Sequence, residues 1–348
     1  MSPLIHIKNS KINSTNDNKS ILINKKTKHM VKKNTDQLQR EIYISDILLK
    51  IPHFFLYFQP IINHQLFQLA EIDDEQFENC FTMENSSSQY YLVSYLYREK
   101  IEGFKEFFHY NTAVGFAKKR FLYRWCETYK NLLEICNVMN NDNIINMDIT
   151  PKNIFFHEGR PILYNISNCI CLMNDSGEKL DRIPIAFFNE YNPKKLHLPI
   201  EYHLLCFITY HQYDSLSVAN IQTVVKEWAM EIRRSSLSVF FKNINLDETI
   251  FSLKYLVNKP KTIIKRELLG YINTWNNYSI SMIYLLFLSS LGETVYNSDF
   301  GTEFTNLLLK NVSTNKMERK PITDTYDTFN AVLEKVDILE WKRFIEGM

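Results

Sequence analysis

The spacing of hydrophobic positions along this chain changes near residue 100. From Asp36 onward, Leu38, Glu41, Ile42, Ser45, Leu48 and Leu49 recur at helical spacing, and Pro52 lacks the amide that a further turn would need. A helix of about three turns is expected there. Phe54 to Ala70 is dense in aromatic and β-branched residues, broken by Pro60 and the polar pair Asn63-His64, and reads as two strands joined by a tight turn. Tyr90 to Leu96 gives a further strand. Residues 1–30 are rich in Asn, Ser and Lys; Leu4 to Ile7 and Ile21 to Ile23 are short β-like runs, as compatible with a tail as with strands.

Beyond Gly103 the pattern becomes helical. Leu122, Cys126, Tyr129, Leu133 and Cys136 step by four and three along one face of a long helix over 112–140. Ile154-Phe155-Phe156, a His157-Glu158-Gly159 turn and Pro161 to Tyr164 predict a small hairpin. Tyr202 to Tyr210, the run Val224, Val225, Trp228 and Ile232, and the run Phe251, Leu253 and Leu256 read as further helices. Tyr278 to Leu291 is almost wholly apolar but interrupted by serines. It is too short to span a bilayer comfortably and is expected to be a buried core helix.

Composition narrows the classes of function. The apolar fraction of 45% is ample for a large core, and the formal charge of +1 offers no single-sign field to hold a nucleic acid or a lipid surface. Neither a nucleic acid nor a membrane is expected as partner; a protein substrate or protein partner is. Six cysteines are scattered, without Cys-x-x-Cys spacing, which argues against zinc and disulfides and for a reducing, cytoplasmic compartment. The start Met1-Ser2-Pro3-Leu4 lacks the basic flank and apolar run of a secretory signal.

The candidate chemistry lies in Asn146-Met147-Asp148-Ile149-Thr150-Pro151-Lys152-Asn153, between the long helix and the hairpin. An acid, a proline and an amide at Asp-x-x-x-x-Asn spacing, followed by an apolar strand, resemble the catalytic loop of the eukaryotic-type protein kinase superfamily, most closely the divergent kinases of large DNA viruses. Leu198-Pro199-Ile200-Glu201 is similar to the family's Ala-Pro-Glu box. Trp275-Asn276-Asn277-Tyr278-Ser279 resembles its Asp-x-Trp-Ser helix start, and Arg319-Lys320-Pro321-Ile322-Thr323 resembles the element whose arginine pairs with the box carboxylate.

The resemblance implies an α+β, two-lobed fold: degenerate strands or tail over 1–30, a small mixed lobe over 31–97, and a mainly helical lobe over 98–348 with an insertion at about 207–270. It implies ATP and Mg²⁺ as cofactors, Asp148 as the catalytic base and Asn153 as a metal-binding amide. Lys32 would touch the α- and β-phosphates, with Lys33 as a rival, and Glu41 would hold that lysine by an ion pair. Glu201, Asn276 and Arg319 would be structural.

The sequence also departs from the family. It has eight glycines, none before Gly103, so no Gly-rich loop covers the phosphates; Asn9 to Lys19 is the nearest substitute. The aspartate of Asp-Phe-Gly is replaced by Leu163 or by Asn165, depending on register, with Asp175 as a downstream alternative. Asn165 would then join Asn153 at the metal and at the cofactor, without a charge. Asn146 and Met147 replace the usual His-Arg, Thr150 the loop lysine, and Asn276 the helix-capping aspartate. The expected function is weak phosphoryl transfer from ATP to protein Ser/Thr hydroxyls. The alternatives are a catalytically inactive pseudokinase acting as a binding module, and a helical interaction or virion-structural protein.

Overall fold

A computed structural model describes residues 4–5, 27–68, 89–108, 115–173, 185–242, 245–337, 339, 341, 342 and 346. Leu69-Ala70, the runs at 6–7 and 21–23, the segment Asn9 to Lys19, and Asp175 lie outside them. The protein is α+β, with small antiparallel sheets and a helical remainder. It divides into two compact units, residues 1–104 with 152–169, and residues 105–151 with 170–348.

In chain order the elements are β1 (Leu4–Ile5), β2 (Thr27–Lys33), α1 (Asp36–Leu48), β3 (Asn63–Gln68), β4 (Gln89–Leu96), β5 (Glu102–Gly103), α2 (Phe104–Phe108) and α3 (Gly115–Asn141). They continue with β6 (Ile144–Asn146), β7 (Ile154–His157), β8 (Arg160–Leu163), β9 (Cys169–Cys171), α4 (Ile200–Tyr210), α5 (Val218–Arg234), α6 (Leu246–Leu253) and α7 (Lys261–Leu269). The last are α8 (Trp275–Leu291), α9 (Glu293–Tyr296), α10 (Asp299–Asn311) and α11 (Ile322–Lys335).

The first unit is built on a sheet of order β1-β2-β4-β3, with α1 against it. β2 and β4 are antiparallel in the register Met30↔Val93 and Lys32↔Tyr91. Thr35 caps α1 by accepting from the Leu38 amide at 3.2 Å. Leu38 and Ile42, one turn apart, then pack with Ile61, Val93 and Tyr95 in one core cluster. Ser45 ties the helix to the chain beyond it: its hydroxyl donates to Glu41 O at 2.6 Å and accepts from the Ile61 amide at 2.9 Å.

Phe54 to Gln68 does not form two strands. Phe54 to Leu56 make a 3₁₀ turn, and the strand starts at Asn63, where the tight turn was expected. The reason is burial: Phe54 and Phe58 go into the core while Leu56, which an alternating strand would bury with them, is only partly covered. Arg98 fastens the turn by donating to the carbonyls of Phe55 at 2.6 Å and Phe58 at 3.2 Å.

β7 and β8 form the predicted hairpin. Its two-residue loop, Glu158 at φ 52° and Gly159 at φ 80°, has both residues in the left-handed region, the pattern that matches strand twist in tight hairpins.

The second unit is helical. α8 is buried around most of its circumference, so it is apolar on most faces. α3 packs on it through Trp125 and Tyr129, whose rings lie 5.3 Å and 4.7 Å from Tyr284. Tyr129 also meets Phe329 of α11 at 4.7 Å. The serines that interrupt the apolar run are bonded: Ser279 donates to His197 O at 2.6 Å, and Ser281 accepts from Asn311 at 3.1 Å. Among the described residues, no helix is long and apolar enough to cross a membrane.

Candidate functional site

In the first unit the sheet and α1 bring Lys32 and Glu41 together. Alternation along β2 turns Lys32 towards the helix and leaves Lys33 exposed. Lys32 Nζ donates to Glu41 Oε2 at 2.8 Å. The other carboxylate oxygen, Oε1, accepts from the hydroxyl of Tyr95 on β4 at 2.7 Å. The Lys32 ammonium also lies 5.2 Å from the centre of the Tyr95 ring. Tyr95 and Glu41 are both buried, so these bonds form at low local dielectric.

Asn153 and Asn165 flank the same end of the β7–β8 hairpin, one just before β7 and one just after β8. The Tyr164 amide donates to Asn153 O at 2.9 Å, which sets the two asparagine-bearing stretches side by side. Leu163 is fully buried, with its amide on Tyr57 O at 2.9 Å and its carbonyl accepting from Gln59 N at 3.1 Å. Asn165 follows the strand, exposed and left-handed at φ 55°, a conformation that asparagine tolerates better than most residues. Its Oδ1 accepts from Ser167 Oγ at 2.7 Å, and Gln37 of α1 donates to Ser167 Oγ at 3.0 Å.

In the second unit a relay of amide side chains fixes the loop that carries Asp148. Asn140 donates to Asn273 O at 3.0 Å and accepts from Asn276 Nδ2 at 3.2 Å. Asn276 Oδ1 accepts from the Asn146 amide at 3.0 Å, and Asn146 Oδ1 accepts from the Asp148 amide at 2.8 Å. Asn276 therefore does for this backbone what a capping aspartate would, because an amide oxygen accepts as a carboxylate does. Asp148 Oδ1 lies 3.9 Å from His197 Nε2, too far for a hydrogen bond but close enough for a strong field. Burial lowers the His197 pKa; the Asp148 charge opposes that shift, and Lys195 reinforces it.

At the entrance to α4, Glu201 is paired with Arg319, and both side chains are almost entirely excluded from solvent. The guanidinium also lies over the Tyr278 ring at 5.8 Å and reaches Thr274 Oγ1 at 3.4 Å.

The chemistry offered to a metal is poor. Among the described residues, no group of three or more His, Cys, Asp or Glu side chains could hold an ion. Asn153 and Asn165 supply amide oxygens, hard donors without charge, whereas protein-bound Mg²⁺ usually takes one or two carboxylates. This pair does not fit a tightly held divalent cation.

Two residues, one in each unit, carry no sequence signal of their role. His197 reaches Asp148 through the fold alone. Tyr95 could be suspected only because a buried phenol usually finds a partner. No protein-family model matches the chain, and no curated protein matches it.

Proposed function

We propose that the chain is a protein-kinase-like protein that binds ATP and transfers its terminal phosphoryl group, slowly, to Ser or Thr hydroxyls of a protein substrate. The observation that carries this reading is the strand-to-helix ion pair between Lys32 and Glu41. A lysine held on a strand by a helix carboxylate presents a fixed ammonium, the arrangement that a kinase uses for the α- and β-phosphates. The anchored loop at Asp148, the Asn276 bond beneath it and the buried Glu201–Arg319 pair support the same reading.

In this mechanism the substrate hydroxyl oxygen forms a bond to the γ-phosphorus as the bond to the β–γ bridging oxygen breaks, and ADP leaves. Asp148 accepts the hydroxyl proton and aligns the attacking oxygen. Lys32 holds the phosphates in place, so part of the barrier is met by positioning. Turnover is slow because Asn153 and Asn165 add no negative charge where a kinase concentrates its cations.

That last point favours a second reading, a pseudokinase that binds nucleotide or a protein partner without transfer. Radiolabelled transfer from ATP to a generic Ser/Thr substrate, with melting temperature measured in ATP plus EDTA, separates the two. Slow transfer that Asp148→Asn abolishes, with ATP stabilisation lost in Lys32→Met, supports the kinase. Stabilisation by ATP with no transfer above Asp148→Asn selects the pseudokinase. Failure of ATP to stabilise the chain under any condition sinks the kinase and leaves the pseudokinase only as a module for a protein partner.

A further inference from the structure

We propose that Tyr95 is a positioning residue that locks Glu41 into its ion pair with Lys32, so that the lysine is preset for an anionic ligand before any ligand arrives. The ligand class, a nucleoside triphosphate, rests on the function proposed above; the lock itself does not.

The argument begins with the two carboxylate oxygens of Glu41. Each has its own donor: Lys32 Nζ at 2.8 Å on Oε2 and Tyr95 Oη at 2.7 Å on Oε1. A glutamate on a helix has several rotamers, and an ion pair to one oxygen leaves the carboxylate free to swing. A second donor, from a strand in the sheet behind, removes that freedom. Tyr95 suits this because it moves little itself. Its backbone is held in the β2–β4 ladder opposite Lys28, and its ring packs with Leu38, Ile42, Ile61 and Val93. A buried aromatic side chain with two torsions loses little entropy when its hydroxyl bonds.

The ring acts on the other partner as well. Lys32 Nζ stands 5.2 Å from the ring centre, within range for attraction to its π face. Tyr95 therefore touches both members of the pair, one through its hydroxyl and one through its ring. Burial first, and then the Glu41 charge and hydrogen bond, raise the phenol pKa well above its ordinary value, so the hydroxyl stays a donor throughout the working pH range.

The two contacts can be separated by substitution. Tyr95→Phe keeps the ring, its packing and its attraction for the ammonium, and removes only the hydroxyl. Glu41→Gln removes the charge that holds the lysine. The test is the rate at which Lys32 is acylated by a water-soluble activated ester, read residue by residue by mass spectrometry on the full chain without nucleotide. Lys28, on the same strand, serves as the internal control.

Tyr95→Phe should accelerate labelling of Lys32 several-fold, towards the rate in Glu41→Gln, while Lys28 is unchanged. A parallel rise at Lys28 and at lysines of the second unit would mean general loosening, and would overturn a specific lock. An unchanged Lys32 rate in Tyr95→Phe, or in Glu41→Gln, would overturn it too. Binding of ATP in EDTA supplies the second arm, in which Tyr95→Phe should raise Kd several-fold. If the wild-type chain binds no ATP while the labelling pattern is as expected, the lock stands and the nucleotide reading falls.

Discussion

His203 on α4 has no solvent exposure, and its pKa is lowered to about 3, chiefly by burial and then by the neighbouring His197. Unfolded, the same imidazole titrates near its ordinary value of about 6.5. Between those values the unfolded chain binds a proton that the folded chain does not, so stability falls as pH drops from about 6.5 towards 3. The slope from this one group approaches ~1.4 kcal/mol per pH unit within that window. Urea denaturation of the wild type and of His203→Leu, at steps between pH 7 and pH 4.5, should show the wild type losing stability relative to the variant as the solution is acidified. A constant difference would show that His203 titrates in the fold as it does in the unfolded chain. His197 offers a second titration. Because Asp148 opposes the effect of burial, Asp148→Asn should lower the His197 pKa further, visible as a shifted imidazole titration by NMR. No shift would mean that the two side chains do not face each other in solution.

Between elements, the Glu201–Arg319 pair joins the start of α4 to the segment before α11 where water is excluded. Removing one member strands the other as a buried charge, so Arg319→Met should cost ~3–5 kcal/mol in chemical denaturation. The double variant Glu201→Met/Arg319→Met should recover part of that loss, since no lone charge remains. A double variant less stable than either single change would refute this account. These two residues could be paired from sequence because each lies in a recognisable local word. α1 and α3 were legible for a different reason: one-sided burial imposes a period that survives in the letters, whereas α4, buried from Ile200 to Thr209, stood out as an apolar run. Phe54 to Gln68 was not legible, because a 3₁₀ turn that buries Phe54 and Phe58 has the same aromatic composition as a strand. Tyr95 and Glu41 are 54 residues apart, and nothing local to either encodes their bond. The Asn140, Asn276 and Asn146 relay was half legible. Asn276 stood at a capping position, but Asn140 looked like one more polar residue at a helix end.

At the level of the whole molecule, the function proposed above turns on one missing charge. A ligand that binds only the folded state raises the melting temperature in proportion to its occupancy, so the intact chain reports on its own site. With amides at 153 and 165, ATP should stabilise the wild type by nearly the same amount in Mg²⁺ and in EDTA. Asn165→Asp tests the cause directly. Aspartate tolerates the left-handed backbone at φ 55° about as well as asparagine, and its carboxylate can accept the Ser167 hydroxyl that now bonds to Asn165 Oδ1 at 2.7 Å. The fold should therefore survive the change, and the new charge should draw Mg²⁺. Stabilisation by ATP should become larger in Mg²⁺ than in EDTA. Any transfer rate should rise by about tenfold, equivalent to ~1.4 kcal/mol of barrier. A variant that folds as the wild type does, yet gains neither Mg²⁺ dependence nor rate, would show that residue 165 does not face the phosphates. The kinase-like reading would then be left with Asn153 alone as a cation position.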